Sequence, residues 1–333
     1  IGTERGIEQR LVPAAGLTLH CLSMSGLRGK SVVARIKGFL LLGLAVWQSL
    51  RLLRRIRPDV LLGMGGYAAG PAGLAAWISR CPLVIHEQNA VAGTTNRWLA
   101  PFASRVLCGL PGSFRNRRDA SIVGNPVRTL LQRIDRSELA HLIVFSEVRP
   151  MKVLVLGGSL GAAPLNALLP PTCDLLCELG LAERISIWQQ CGERNRAEAD
   201  MCWQQSRFRG QRVDNYIEDM AEAYRWADVV IARAGALTIS ELAATATASA
   251  LIPLPHAIDD HQTANAKVLS EANAAVLLPQ REATPDRLVA YLTDWIYNPQ
   301  SLEGMGRAAG EVAAASAAQS VADIMQGVAR AAV

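Results

Sequence analysis

A chain of 333 residues is long enough for two domains that each bury a core, which excludes a single small motif-domain. Half of the residues are hydrophobic, and 34 Lys and Arg against 29 Asp and Glu leave a net charge of only +5, which excludes a disordered tail and a histone-like polycation. The surplus is local: Arg28, Lys30, Arg35, Lys37, Arg51, Arg54, Arg55 and Arg57 share one acid-free segment, so the rest of the chain carries 26 cations against 29 acids. Seven cysteines without a Cys-x-x-Cys spacing argue against a disulfide framework or structural zinc and for reduced thiols, hence a cytosolic compartment. The apolar run over 38–47 is far shorter than the roughly 20 residues of a spanning helix, and no signal peptide precedes it. The opening Ile-Gly-Thr reads as the end of a strand and a loop, which predicts that a segment is missing in front.

In chain order, short apolar runs alternate with helical spacing, the pattern of strand-helix-strand units and parallel sheets, so the fold class is α/β. Strands are predicted over 59–63, 82–86, 104–108 and 121–123. Then come Gly124-Asn125-Pro126-Val127-Arg128 and a polar stretch over 132–150 with the character of a linker, which puts the domain boundary near Arg128. A second strand series follows over 151–156, 185–189, 213–216, 228–232, 250–253 and 275–278, a complete doubly wound sheet. From Met305 onward the Ala-rich text is a strong helix former expected to pack back on the body.

Four loops carry candidate chemistry. The strand over 151–156 runs into Gly157-Gly158-Ser159-Leu160-Gly161-Ala162 and a helix; glycines admit a ligand to the backbone and a helix N-terminus favours an anion, so a diphosphate fits. A tight turn that needs glycine only for geometry explains the same residues, and a nicotinamide site is a further rival. Against that rival, the spacing is Gly-Gly-x-x-Gly and no acid ends a strand about 20 residues on. Gly63-Met64-Gly65-Gly66-Tyr67-Ala68-Ala69-Gly70-Pro71 is either a packing turn or a ligand contact. His86-Glu87-Gln88-Asn89 stands where parallel sheets place ligands. In Arg233-Ala234-Gly235-Ala236-Leu237-Thr238-Ile239-Ser240-Glu241, the Thr238 to Glu241 spacing reads as a capping box. It reads equally as a first-turn carboxylate for a ribose diol, with the amides of 236–238 on a phosphate. A further polar loop over 253–265 holds His256, Asp259, Asp260 and His261, but no spacing brings three metal ligands together, so no metal is expected.

Ser25-Gly26-Leu27-Arg28-Gly29-Lys30 together with the segments 63–67, 86–89, 124–128, 157–161, 236–241 and 260–265, in that order, resembles the MurG family, UDP-N-acetylglucosamine transferases that convert lipid I to lipid II in peptidoglycan synthesis. The resemblance covers essentially the whole chain. It implies a GT-B fold: two Rossmann-like doubly wound domains facing a cleft, with an acceptor and membrane-facing domain over 1–128, a UDP-GlcNAc domain over 129–311 and a helix over 312–333 on the first domain. Carried over, it implies that Glu241 takes the ribose hydroxyls, Ile217 the uracil through its backbone, and Ser159, Ala236, Leu237 and Thr238 the diphosphate. Ile239 and Ser240 are donor-binding residues of the same helix segment, Gln262 and Asn89 hold the sugar, and Arg128 lies near the donor. Gly65, Gly66, Tyr67 and Glu87 fall to the acceptor side. The implied reaction is an inverting displacement by the acceptor's 4-hydroxyl on the anomeric carbon, with no cofactor and no metal.

The family opens with a strand and Gly-Gly-Thr-Gly-Gly-His, whose His is its candidate base; the present sequence starts after them. The catalytic base is therefore unassigned, and neither His86 nor His20 inherits the role. The alternative function is a donor-binding fragment that lacks catalysis. A second departure is Ala246-Thr247-Ala248-Ser249, where the family has a Gly-Leu-Pro-like turn. Phe39, Leu40, Leu41, Leu44 and Trp47, ringed by Lys37, Arg51, Arg54, Arg55 and Arg57, form either a core helix with a basic end or a surface for an anionic leaflet. The lipid-linked acceptor implied by the resemblance favours the leaflet, on the cytoplasmic face of the bacterial cell membrane, as a peripheral protein. No nucleic-acid motif or aromatic platform accompanies the charge. Cell-wall synthesis and division proteins are further partners within the range of the resemblance.

Overall fold

The computed structural model describes residues 1–3, 8–22, 32–132, 134, 144–158, 161–255 and 257–331, with the side chains of 32–39 and of Ile258 outside that description. Ser25–Lys30, the linker positions 133 and 135–143, Ser159, Leu160 and His256 lie outside the described residues, as do the side chains of Arg35, Lys37 and Phe39. The chain divides into two compact units, one of residues 1–123 with 316–333, the other of residues 124–315.

The first unit runs β1 (Gly2–Thr3), α1 (Glu8–Ala14), β2 (Cys21–Leu22), α2 (Val32–Ile56), β3 (Leu61–Gly63), α3 (Gly66–Ile78), β4 (Leu83–Glu87), α4 (Thr94–Leu99), β5 (Arg105–Cys108) and β6 (Ala120–Ile122). Strands β3-β4-β5-β6 form one parallel sheet in that order, and β1 pairs with β2 separately. All five residues of β4 are buried: Leu83, Val84 and Ile85 as an apolar run covered on both faces should be, and His86 and Glu87 with polar partners at the strand's carboxyl end. Helix α2 shows Ala45, Ser49 and Leu53 to the interior at every fourth residue, while Leu40, Leu44, Trp47 and Arg51 point outward.

The second unit runs α5 (Thr129–Gln132), β7 (Met151–Leu156), α6 (Ala163–Glu178), β8 (Ile185–Gln190), α7 (Arg196–Gln205), β9 (Gln211–Asp214), α8 (Met220–Trp226), β10 (Val229–Ala232), α9 (Ala236–Ala244), β11 (Ala248–Leu251), α10 (His261–Ser270), β12 (Ala275–Leu277), α11 (Pro285–Tyr297) and α12 (Pro299–Val312). Its six strands are all parallel in the order β9-β8-β7-β10-β11-β12. The order therefore reverses between β7 and β10, and a crevice opens at the carboxyl ends of those two strands. The chain returns to the first unit as α13 (Ala317–Ala331), whose Val321, Ile324, Met325 and Val328 pack with Val84 and Leu107 of the β4-β5 region.

Three sequence expectations change. The Ala-rich tail is two helices, not one, parted at 313–316 where Ser316 has φ 55°. The end of the expected linker is part of the core: Phe145 is buried in the second unit's main cluster, and Arg149 makes two 2.8 Å bonds to Asp228. Strands β9 and β11 each start two residues earlier than expected, because the ladder with β8 and β10 includes small or polar residues with weak strand signals, Gln211, Ala248 and Ser249.

The Ala246 departure has a definite geometry. It is the residue after the α9 cap, in the left-handed region at φ 48°, and the amide of Thr247 reaches back to the carbonyl of Leu242 at 3.0 Å, the closing bond of a helix end that ordinarily carries glycine. Ala246→Gly is expected to raise the melting temperature by about 1–3 °C, since removal of a left-handed Cβ, worth roughly 1–2 kcal/mol, exceeds the added chain entropy of about 0.4–1 kcal/mol. A thermal melt that falls instead refutes this account of the turn.

Candidate active site

In the second unit, two loops leave adjacent strands. Register pairs Leu156 at the end of β7 with Ala232 at the end of β10, so the glycine loop and the β10-α9 turn emerge side by side at the reversal point. Gly158 and Gly161 have φ 84° and 74°, and a Cβ on Gly161 would collide with the Cys191 carbonyl. The glycines thus have a packing reason here, beside any ligand. Gly235 caps α9 without a side-chain bond, so the capping-box expectation is wrong: the helix starts at Ala236, and Glu241 is its sixth residue, in the second turn. The first-turn amides of Ala236, Leu237 and Thr238 precede the first intrahelical donor, Ile239, whose amide bonds Gly235 at 3.0 Å. Three free helix-start amides are an anion's natural seat.

Glu241 is half-buried, and the hydroxyl of the enclosed Tyr224 donates to its Oε2 at 3.2 Å. Burial pushes its carboxyl pKa up, against smaller downward pulls from the Tyr224 hydroxyl and the Arg128 charge. Ile217 is buried, and its amide donates to Gln190 Oε1 at 3.0 Å. Ser240 accepts from Asn125 Nδ2 and donates to the Ala236 carbonyl, both at 3.0 Å, and Ile239 is fully buried. Both side chains are thus engaged within the fold at α9. Gln262 Oε1 accepts from the Leu254 amide at 2.9 Å, and Asn265 Nδ2 donates to the Ala234 carbonyl at 3.1 Å, so the loop over 253–265 is fastened beside the α9 start. Arg233, buried, grips the carbonyls of Ile252 and Pro253 and the Gln280 amide oxygen, and burial lowers its pKa.

In the first unit, the two other candidate loops meet. The glycine turn after β3, with Gly65 and Gly66 at φ 78° and 76°, lies against the Asn96 amide, 3.3 Å from where a Gly65 Cβ would stand. Tyr67 is exposed. Glu87, at the end of β4, is enclosed: Oε1 accepts from the Asn89 amide and Nδ2 at 3.0 and 3.1 Å, and Oε2 from the Gly93 amide and Asn96 Nδ2 at 2.9 and 2.8 Å. A carboxylate has about four lone-pair sites, and all are used. His86 is wholly buried, with Gln88 Nε2 3.3 Å from its Nδ1, an enclosure at odds with a role as base.

Sequence reasoning missed Asn96, Tyr224 and Gln190. Gln190 had a signal, a polar residue at the carboxyl end of an apolar strand, as at Glu87; Tyr224 and Asn96 lie on helices and had none. Among the described residues no group of three His, Cys, Asp or Glu could hold a metal ion.

On α2, Leu40, Leu44 and Trp47 are 72, 42 and 55% exposed, and the Arg51 guanidinium stands 5.8 Å from the Trp47 ring centroid. Trp77 and Phe102, with ring centroids 4.9 Å apart, are exposed on the same unit and were also missed. Among the described residues no helix is long and apolar enough to cross a membrane.

Models of the glycosyltransferase family 28 N-terminal and C-terminal domains match residues 1–108 and 152–326. The chain belongs to glycosyltransferase family 28. A relative from Stutzerimonas stutzeri (strain A1501), called a UDP-N-acetylglucosamine–N-acetylmuramyl-(pentapeptide) pyrophosphoryl-undecaprenol N-acetylglucosamine transferase, is 47% identical over 97% of this chain and 88% of its own length. A protein of the same name from Methylococcus capsulatus (strain ATCC 33009 / NCIMB 11132 / Bath) is 46% identical with the same coverage. The crystal structure of Acinetobacter baumannii MurG, 34% identical, superposes with a TM-score of 0.81 over 98% of this chain and 89% of that one. Within family 28 the chain is thus a member of the MurG group, with the GT-B fold and the hexosyltransferase class of its relatives. The resemblance read from the motifs and the fold class drawn from it hold.

Proposed function

We propose that the chain transfers N-acetylglucosamine from UDP-N-acetylglucosamine to the 4-hydroxyl of the N-acetylmuramyl sugar of lipid I, giving lipid II. The observation that carries this reading is the pairing of β7 with β10 at the point where strand order reverses, which sets a glycine loop beside a helix start whose second turn bears a carboxylate. There the 236–238 amides and the α9 dipole receive the diphosphate, Glu241 the ribose hydroxyls and the Ile217 carbonyl the uracil. As the acceptor oxygen bonds to the anomeric carbon and gives up its proton to the solvent, the bond from that carbon to the diphosphate oxygen breaks. The electron pair goes to the departing UDP, whose growing charge the amides offset. In this reading Gln262 and Asn89 are assigned to the sugar, Arg128 to the donor, and Gly65, Gly66 and Tyr67 to the acceptor. The test is transfer of labelled N-acetylglucosamine to a soluble lipid I analogue; UDP binding without transfer overturns the enzymatic reading and leaves a donor-binding protein.

For the lipid-linked acceptor, the reading sets the outward face of α2, with Leu40, Leu44 and Trp47 followed by Arg51, Arg54 and Arg55, against the anionic cytoplasmic leaflet, and Trp77 and Phe102 are further exposed apolar residues of the same unit. The double change Leu44→Glu with Trp47→Glu is expected to lower co-sedimentation with anionic vesicles about tenfold or more, from the loss of two apolar insertions of ~1 kcal/mol or more each, and to leave UDP affinity unchanged. Unchanged co-sedimentation refutes the patch.

A further inference from the structure

We infer that Gln190 is a positioning residue for the donor: its side-chain amide sets the span between the glycine loop on the diphosphate and the segment on the base. The inference rests on the donor reading above. Gln190 is the last residue of β8, 5% exposed, with β7 on one side and β9 on the other. Its Nε2 donates to the Gly158 carbonyl and its Oε1 accepts from the Ile217 amide, both at 3.0 Å. A carbonyl demands a donor and an amide demands an acceptor, so only one orientation of the side chain satisfies both. Neither partner lies in a strand. Gly158 follows β7 and Ile217 follows β9, and one side chain bridges the two across the end of β8.

The grip falls on the loop's own closing bond. The Gly158 carbonyl also accepts from the Gly161 amide at 3.0 Å, so Gln190 holds the atom around which the glycine turn is built. Gln190 is itself held. The preceding residue, Gln189, is fully enclosed, its Nε2 on Asn166 Oδ1 at 2.8 Å and its Oε1 receiving the Trp203 indole at 2.7 Å. The following carbonyl, that of Cys191, accepts from Asn166 and Asn195 at 2.9 and 3.1 Å. A network anchored in α6 and α7 thus fixes the end of β8, and Gln190 carries that fixity to both loops.

A ligand that joins a base to a diphosphate binds better than its parts only when the two subsites stand at its own span. Gln190 accordingly acts on UDP and not on uridine alone. Gln190→Glu keeps an acceptor for the Ile217 amide and sets an oxygen against the Gly158 carbonyl. By calorimetry and NMR-detected titration at pH 8, UDP affinity is expected to fall about five- to twentyfold, the worth of a buried hydrogen bond and its loss, with uridine within about twofold of the unaltered chain. Unchanged UDP affinity, or an equal fall for uridine and UDP as general loosening produces, overturns the inference. Should Gln190→Glu fail to fold, Gln190→Met gives the same decision: a larger fall for UDP than for uridine supports the role, and an equal fall or none overturns it. Glu241→Ala in the same titrations separates the two readings. If the unaltered chain does not bind UDP, or Glu241→Ala binds it equally well, the donor reading fails and takes Gln190 with it. UDP affinity that responds to Glu241→Ala but not to Gln190→Glu overturns the role of Gln190 alone.

Discussion

Glu241→Gln is expected to weaken UDP binding about ten- to hundredfold while the protein melts at the same temperature or higher. A carboxylate accepts both hydroxyls of a ribose diol through charge-assisted bonds, each worth roughly 1.5–3 kcal/mol, whereas an amide offers one neutral acceptor. The stability side follows from burial, which raises the pKa of Glu241 in the folded chain above its ordinary value, the Tyr224 and Arg128 effects being smaller. A raised pKa means that the protonated form suits the fold better. The cost of the charge is absent below the unfolded value, sets in as pH rises toward the folded one, and is complete above it. The substituted amide never ionises, so the variant gains stability relative to Glu241 at neutral pH and loses that gain at acid pH. UDP affinity of the unaltered chain should fall more steeply than that of the amide variant as pH is lowered through the raised pKa, since protonation removes an acceptor in addition to the titration of the UDP terminal phosphate, second pKa about 6, that both proteins share. Calorimetric titrations and thermal melts from acid to neutral pH check both halves. Equal UDP binding by the two proteins removes Glu241 from the ribose.

The sequence displayed the α/β class and the glycine loop because both are written in local signals: apolar runs of strand length, and glycines at a strand end. Met151–Leu156 was legible residue for residue, since a central parallel strand is covered on both faces and, Lys152 apart, is apolar throughout. The edges were not. In β9 only Val213 is aliphatic, and β11 begins with Ala248 and Ser249, residues buried by the register and not by their own preference. The capping box at Thr238 failed for a related reason: the motif gives a spacing, but Gly235 starts α9 with no side chain, so Thr238 is already inside the helix. What spacing cannot show is where a polar side chain spends its hydrogen bonds. Ser240 stands among candidate donor residues in the text, yet in the fold it ties Asn125 to α9, and the same blindness hid Gln190, Tyr224 and Asn96.

Glu87 is the place where that distinction has the largest consequence. Its motif puts it on the acceptor side, a position from which a carboxylate would be expected to touch substrate. Its four accepted bonds instead make it the organiser of the loop over 88–96, with Asn89, Gly93 and Asn96 all turned toward it. Glu87→Gln places an NH2 group against two donors whichever way the amide is turned. Two bonds are lost and their donors, half-buried at Asn89 or including the enclosed Asn96 Nδ2 on the other side, lose their acceptor, a cost of about 3 kcal/mol. For a unit of this size the melting temperature should fall by roughly 6–12 °C. The Asn96 amide, released, no longer supports the Gly65 turn, so transfer to acceptor should fall with the melt, while UDP binding in the second unit keeps its affinity. Thermal unfolding, acceptor-dependent turnover and UDP titration on one preparation decide it. A variant that melts like the unaltered chain and yet loses turnover would mean that Glu87 reaches the acceptor itself and that its loop contacts give way when substrate binds. Joint loss of melting temperature and turnover places its action in holding the loop.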